Sequence, residues 1–187
     1  LRRLYTLPHL ESTRPGGARE RSPMPNAMPD AIHPAADDPC DGPPAAAFWE
    51  TTRLEAMSEA QWESLCDGCG KCCLEKYEDE DTGAIHYTNV ACRLLDCDTC
   101  HCTDYANRSA QVPDCITLTP AHLEDPTWLP ETCAYRRIAQ GRPLPHWHHL
   151  RCGDADAVHR AGASARGRVV SEQAVTDPLL HLVDWVR

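Results

Sequence analysis

With 187 residues, of which 42% are hydrophobic, the chain can build one compact domain, or one domain and a tail, but not a second large core. The formal net charge of -10 disfavours a surface that binds nucleic acid or another polyanion. No apolar stretch is long enough to cross a bilayer and no secretory signal is recognisable, so we expect a soluble protein of the reducing cytoplasm that does not bind membranes.

The first 45 residues differ in composition from the rest of the chain. They contain nine of the sixteen prolines, in a low-complexity string that is typical of disorder. We therefore expect a disordered, proline-rich tail over residues 1–45 and a cysteine-rich metal-binding domain over residues 46–187. The initial Leu1 predicts that the natural start is Met24 or Met28, or that the upstream residues come from how the open reading frame was drawn.

The domain is predicted to begin near Phe48, with a segment that leads to the first cysteines. Ser58, followed three residues later by Gln61, is typical of a capping box and predicts a short helix. We expect Trp62 and Leu65 to face the core behind this helix.

Residues 74–90 carry the pattern of a β-hairpin. Two strand-like runs flank a turn at residues 81–83, and in the second run Ile85 and Tyr87 alternate with His86 and Thr88. The carboxylates of residues 78–81 lie at the turn. Solvated charge explains them better than calcium or iron ligation, because the spacing of a calcium loop is missing.

Two further helices are predicted in the second half of the domain. One starts at Thr119 and Pro120, and the other spans residues 131–140, with Cys133 in its first turn and Gly141 as its end. The HWHH motif at residues 146–149 is interpreted as a packing tryptophan flanked by exposed histidines rather than as a second metal site. The last apolar run, LLHLVDWV, fits either a strand or a helix.

Cysteine spacing carries the chemical signal. A C-x-x-C pair lets two sulfurs converge on one ion from a tight turn, and Gly68 and Gly70 lie where that turn must bend. Overlapping C-x-x-C pairs with a second cluster downstream favour a bound metal or cluster over a disulfide framework, a reactive thiol or inert thiols. Adjacent Cys72 and Cys73 cannot easily face one ion without strain, so we expect them to serve two sites or one polynuclear centre. The first group is Cys66, Cys69, Cys72 and Cys73, the second is Cys92, Cys97, Cys100 and Cys102, and Cys115, Cys133 and Cys152 follow singly.

Three metal chemistries remain open on spacing alone. Zinc would take four thiolates, or three and a histidine, and would mainly stabilise the fold. An iron–sulfur cluster also fits C-x-x-C-x-x-C, although the fourth cysteine of the bacterial ferredoxin pattern is missing. Non-haem iron would need mixed ligands, for which His86, His101 and the neighbouring carboxylates are the candidates.

These motifs resemble the YcgN family of small bacterial proteins, within the wider YkgJ-type group whose CxxCxxCC domain is described as chelating zinc or iron. The resemblance runs from about Phe48 to the C-terminus, through LCDGCGKCCLEKYEDEDTGAIHYTNVACRLLD, TCHCTDYANR, PDC and WLPETCAYR. The wider group's motif implies as metal ligands Cys66, Cys69, Cys72, Cys73, Cys92, Cys102 and Cys115, and the YcgN-like subset adds Cys100 and Cys133. The wider pattern has a proline where this chain has Ser109, so the turn before Cys115 is expected to differ. Cys40, Cys97 and Cys152 fall outside the resemblance and are treated as non-ligands.

The predicted fold class is α+β, a small single domain with short helices and a β-hairpin organised around a cysteine-rich metal site. The predicted function is that of a cytoplasmic protein that binds zinc or iron. One alternative is an iron–sulfur redox or modifying enzyme, as in some members of the wider group such as a flagellin lysine methylase, although this chain shows no added substrate domain. Another is an interaction module with a purely structural zinc. The metal ion is the one partner predicted, and whether the protein is an enzyme stays open.

Overall fold

The computed structural model describes residues 2–4 and 47–186. These residues form a mixed fold of short helices and one five-stranded sheet, which confirms the predicted fold class. Most of the tail predicted over residues 1–45 lies outside the described residues. Strand β1 (Arg2–Leu4) belongs to that stretch, yet it pairs along the edge of the sheet instead of standing apart from the domain. A strand at the edge of a sheet has backbone N–H and C=O groups without partners, and β1 pairs with those of the neighbouring strand.

The predicted hairpin forms the centre of the sheet. Strands β2 (Leu74–Glu78) and β3 (Ile85–Ala91) pair antiparallel. At the turn the Asp79 carboxylate accepts the backbone N–H groups of Asp81 and Thr82, at 3.0 and 2.8 Å. The predicted alternation fails at Thr88, which is fully buried because its hydroxyl donates to the backbone of β2.

Two short strands complete the sheet on the other edge of β3. Strand β4 (Val170–Ser171) pairs parallel with the end of β3, and β5 (Leu182–Val183) pairs antiparallel with its middle. The C-terminal run that the sequence leaves ambiguous is therefore a 3-10 turn, Pro178–His181, followed by a strand.

The helices of the described residues are short. In this part of the chain none of them is both long enough and apolar enough to cross a membrane. In chain order they are α1 (Phe48–Thr51), α2 (Glu59–Glu63), α3 (Arg108–Gln111), α4 (Ala134–Ala139), α5 (His149–Cys152) and α6 (Ala157–Arg160).

The predicted helix starts lie at or near the predicted residues, but not every predicted helix is an α-helix. Ser58 is the N-cap of α2, and its capping box with Gln61 is complete, with both hydrogen bonds formed at 3.2 and 2.9 Å. Thr119 precedes a 3-10 turn, Pro120–Leu123, instead of an α-helix. The helix predicted over residues 131–140 begins later: Cys133 is the N-cap of α4, because its N–H closes a turn on the Pro130 carbonyl and its own backbone is extended.

Three buried clusters form the core, and the first cysteine segment contacts all of them. A sheet cluster includes Leu74, a helical cluster includes Leu65, and a tryptophan cluster around Trp147 includes Cys69. Leu65 is fully buried, as predicted, and Trp62 packs against the same helical cluster. Residues 65–74 therefore lie where the three clusters meet.

Candidate metal centre

The first cysteine group lies on a tight loop between α2 and β2. Gly68 and Gly70 both have left-handed backbone conformations, with φ of 69° and 73°, as the predicted bend requires. The Asp67 carboxylate accepts the Cys69 N–H at 3.1 Å and narrows the loop. A 3-10 turn, Lys71–Cys73, then delivers the chain into β2.

The thiols of this loop lie close enough to act on one another electrostatically. Cys66 is exposed at the protein surface, yet desolvation by the surrounding chain raises the pKa of its thiol to about 12, and the neighbouring Cys72 and Asp67 add to that rise. Burial also raises the pKa of Cys69, with Asp67, Cys72 and Cys66 contributing. Since each thiolate would raise the pKa of the others, several negative sulfurs can coexist here only beside positive charge.

Cys72 and Cys73 lie on the same side of the loop despite being adjacent. Their Sγ atoms are 4.0 Å apart. A hydrogen bond from Cys73 is the main cause that lowers the pKa of Cys72 to about 7, and Lys76 contributes to the same effect. Two thiolates on one tetrahedral zinc would have their sulfurs roughly 3.8 Å apart, from a Zn–S bond of about 2.3 Å, so this pair is close to the spacing that one ion needs.

Cys133 joins the first group from a distant part of the chain. As the N-cap of α4 it lies beside the backbone N–H groups of Tyr135 and Arg136, which favour its thiolate. Burial outweighs them and raises the pKa of Cys133 to about 12, with Cys72 and Asp67 as further causes. The helix start therefore places a fifth sulfur near the loop.

The structure changes the membership of the second group: Cys115 joins Cys92 and Cys102, and Cys97 and Cys100 are no longer counted in it. Cys92 follows β3 directly, and its N–H donates to the Cys73 carbonyl at 3.0 Å. Cys102 pairs with Leu95 in an isolated bridge that folds the chain back toward Cys92. Burial raises the pKa of Cys92 and of Cys115, and the negative charge of a Cys102 thiolate raises both pKa values further.

The two groups border one cavity. Its volume is about 170 Å³, room for several water molecules, and it is lined by Cys72 and Cys73 of the first group and by Cys92 and Cys115 of the second. Cys115 also lies near enough to Cys72 for the two thiols to interact electrostatically. The rest of the wall is mostly apolar: Leu74, Val112, Ile116, Leu118, Trp128 and Leu129, with Glu75, Lys76, Asp114 and Glu172.

Cys100 occupies a different environment from the other predicted ligands. It is buried in the sheet cluster, and its backbone φ of 61° is left-handed, which is strained for a residue with a side chain. Its sulfur lies 3.3 Å from the position that a Cβ on Gly70 would occupy, so it packs directly against the first loop. Cys100 therefore contacts the first cysteine loop at Gly70, from within the sheet cluster. Its role as a metal ligand stays a prediction.

The two described cysteines treated as non-ligands have their thiols near backbone carbonyls. The Cys97 thiol is 3.9 Å from the Leu95 carbonyl, and the Cys152 thiol is 3.5 Å from the Trp147 carbonyl. Cys40 lies outside the described residues. All the described cysteines are free thiols.

The geometry gathers sulfurs without preforming a complete coordination shell. Among the described residues, no three His, Cys, Asp or Glu side chains are arranged so that they could hold one ion. The donor chemistry nevertheless fits zinc or iron, since thiolates are the ligands that both take in zinc sites and iron–sulfur centres. Loading would have to draw the side chains together, in keeping with the coupling of metal binding to local ordering.

One of the histidines discussed from the sequence, His148, lies differently from the prediction. His101 is exposed, but its Nε2 atom lies 3.6 Å from the position of a Cβ on Gly68, so its ring covers the first loop. His86 is exposed on β3. In the HWHH motif Trp147 is buried and His146 exposed, as predicted, whereas His148 is completely buried, which corrects the prediction of an exposed side chain.

His148 and two lysines are the residues near the site that the sequence interpretation missed. His148 Nε2 donates to the Leu65 carbonyl at 3.0 Å, directly before the first cysteine. Lys71 and Lys76 are each 4% exposed and flank the cysteine loop. Their signal was present in composition, because they are the only two lysines of the chain.

Comparison with known proteins agrees with this geometry. Residues 65–134, which contain both cysteine groups and Cys133, match the CxxCxxCC family, described as a "Putative zinc- or iron-chelating domain". Fold and site thus define a cysteine-rich domain of the metal-chelating class. No solved structure matches the chain.

Close sequence relatives define the family more narrowly. A UPF0260 protein of Mesorhizobium japonicum is 61% identical over 132 residues, which cover 70% of this chain and 89% of the relative. A UPF0260 protein of Parvibaculum lavamentivorans is 60% identical over 140 residues, 74% of this chain and 92% of the relative. A UPF0260 protein of Ectopseudomonas mendocina is 58% identical over 138 residues, which cover 74% of this chain and 89% of the relative. This chain belongs to the UPF0260 family.

Proposed function

We propose that this protein binds zinc or iron in the cytoplasm through thiolates of its first cysteine group together with Cys133. The observation that carries the proposal is the gathering of five thiols, from the loop at residues 66–73 and from the start of α4, within electrostatic reach of one another. Without a cation their thiolates would repel one another, and the raised pKa values of Cys66, Cys69 and Cys133 would keep those three thiols protonated. A bound cation removes both penalties.

The second group extends this centre across the cavity. Cys92, Cys102 and Cys115 would hold a further ion or complete a polynuclear centre, since Cys115 interacts electrostatically with Cys72. Cys100 is the weakest member of the proposed ligand set, because its sulfur packs in the sheet cluster behind the loop. The full proposed set is Cys66, Cys69, Cys72, Cys73, Cys92, Cys100, Cys102, Cys115 and Cys133.

A redox or modifying enzyme with an iron–sulfur centre is the second candidate. The cavity favours it: four cysteines from both groups face an apolar space that would give a small molecule access to the centre. A closed structural zinc site would not need such a space. A third candidate, an interaction module held together by structural zinc, has no comparable observation in its favour.

Anaerobic purification with elemental analysis and an absorption spectrum separates these candidates. Zinc gives a colourless protein, whereas an iron–sulfur centre gives a brown protein with visible absorption that bleaches on reduction. In Cys66→Ser/Cys69→Ser the bound metal should fall to background. The control Cys97→Ser/Cys152→Ser removes two thiols outside both groups and should keep the metal. If the first double variant retained its metal and melting temperature, this ligand assignment would be wrong.

The cytoplasmic location and the narrower kinship with the YcgN-like subset are parts of the same proposal. The many free thiols support a reducing compartment. Fractionation of cells that express the tagged full chain tests the location, and recovery of the protein outside the cytoplasmic fraction would contradict it.

A further inference from the structure

The distribution of lysine in this chain is unusual. Among its 18 basic residues only Lys71 and Lys76 are lysines, and both lie at the first cysteine group. Each is 4% exposed, although lysine is almost never fully buried without a partner. Neither has a carboxylate within ion-pair distance in the described residues. Two buried ammonium groups therefore need another source of negative charge.

Lys76 is fixed beside Cys72 and Cys73. Its Nζ donates to the Cys72 carbonyl at 2.9 Å and lies 5.9 Å from the ring centre of Tyr87 and 5.7 Å from that of Trp128. The Tyr87 hydroxyl donates to the Trp128 carbonyl at 2.7 Å, which holds the two rings together. The ammonium is thus held in an aromatic enclosure. Burial lowers the pKa of Lys76, and the thiols of Cys72 and Cys73 are the groups that favour its charged form.

Lys71 occupies the other side of the loop. Its Nζ lies 3.4 Å from the Thr132 hydroxyl, next to Cys133 in sequence. Burial lowers the pKa of Lys71 and Arg168 adds to that shift, while Cys69 and Asp67 favour the charged form. The two lysines therefore approach the first cysteine group from different directions.

We propose that Lys71 and Lys76 are the built-in counter-charges of the metal centre. This inference rests on the proposed function, and it adds which residues balance the negative charge of the metal-bound thiolates. If four of the five gathered thiols bind one divalent cation as thiolates, two negative charges remain, and two ammonium groups cancel them. In a poorly solvated site an uncompensated charge of that size would oppose metal loading. The compact ammonium suits a position inside an aromatic enclosure, where the wider arginine fork would need more room.

The test measures zinc affinity by chelator competition on the full chain, reduced and free of other metals. Lys76→Met keeps the apolar stem and removes the charge, and it should weaken zinc binding about tenfold or more, the usual size of an effect from residues around the ligands. Lys76→Arg restores the positive charge in a wider group and should recover part of that affinity. Lys71→Met tests the same claim from a separate turn, in case Lys76→Met fails to fold.

Urea unfolding of the metal-free proteins separates a charge role from packing. Without bound metal the four-thiolate cluster that Lys76 is proposed to balance does not form, so Lys76→Met should not lower the midpoint. Arg53→Met, whose side chain is 87% exposed, is the control and should leave both readouts unchanged. Equal zinc affinity in wild type and both methionine variants would overturn this inference alone. Failure of the wild type to bind zinc or iron would overturn the proposed function as well.

Discussion

Gly70 permits the closest approach between the first cysteine loop and the rest of the domain. Its φ of 73° is left-handed, and an added Cβ would lie 3.1 Å from the Cys100 Cβ and 3.3 Å from its sulfur. Both backbone strain and crowding therefore oppose any side chain. Gly70→Ala should lower the free energy of unfolding by at least about 2 kcal/mol, measured by urea denaturation.

Gly83 provides the matched control for this substitution. It has a similar φ of 71°, but no atom lies within 4 Å of its added Cβ. Gly83→Ala should therefore cost only the backbone strain, about 1 kcal/mol. Equal losses in the two variants would show that the contact with Cys100 does not matter for stability.

His148 makes the stability of the domain depend on pH. Its Nε2 donates to the Leu65 carbonyl and its Nδ1 accepts the Leu150 N–H at 3.2 Å, so both nitrogens are engaged by the neutral ring. Burial lowers its pKa, with Asp67 acting against that shift and the neighbouring His149 and Arg151 adding to it.

A lowered pKa in the folded state means that protons bind better to the unfolded chain. The stabilisation from neutral His148 is fully present above the unfolded value of about 6.5 and is lost as pH falls through the folded pKa. His148→Gln cannot take up a proton, so between pH 7.5 and 5.5 it should lose less unfolding free energy than wild type. His86→Gln, an exposed change on β3, should follow the wild-type profile. Parallel profiles for wild type and His148→Gln would refute the assignment.

At the scale of elements, the capping box of α2 supports the entry into the cysteine loop. Ser58 Oγ accepts the Gln61 N–H, and the Gln61 side chain accepts the Ser58 N–H. Ser58→Ala should lower the free energy of unfolding by about 1 kcal/mol in urea denaturation. Because the two residues form one unit, the double variant Ser58→Ala/Gln61→Ala should cost less than the sum of the single variants. Full additivity would show that the box does not act as a unit.

Elements encoded by short-range signals were predictable from the sequence. The capping box and the β2–β3 hairpin depend on neighbours within a few residues, and both are confirmed. The parallel pairing of Val170 with Val90 joins parts of the chain far apart in sequence, and no local pattern specifies it. Short 3-10 turns were missed for a different reason: proline and N-cap residues mark where a helix starts without fixing its type.

The candidate site was predictable in its sulfur content but not in its arrangement. The C-x-x-C spacing and its glycines foretold the loop, since bending there needs positive φ. Spacing could not show that Cys133 approaches from α4, or that Cys100 turns into the sheet cluster. It also said nothing of the buried lysines, because burial depends on the Tyr87 and Trp128 rings from distant segments.

For the whole molecule, the cysteine loop connects the three core clusters. Leu65 belongs to the helical cluster, Cys69 to the tryptophan cluster and Leu74 to the sheet cluster. A cation held by this loop would therefore stabilise contacts among all three. Metal binding should accordingly act on global unfolding and not only on the loop.

This arrangement predicts a direct dependence of the melting temperature on free zinc. Binding to the folded state alone adds about 1.4 kcal/mol for each tenfold rise in free zinc above the dissociation constant. For a chain of this size that amounts to roughly 3–6 °C per tenfold step. Thermal unfolding in zinc buffers under reducing conditions measures the slope, and Cys66→Ser/Cys69→Ser should abolish it while Cys97→Ser/Cys152→Ser retains it. A flat melting temperature in wild type that carries zinc by elemental analysis would mean that the ion sits outside the cooperative core, contrary to the position of the loop among the three clusters.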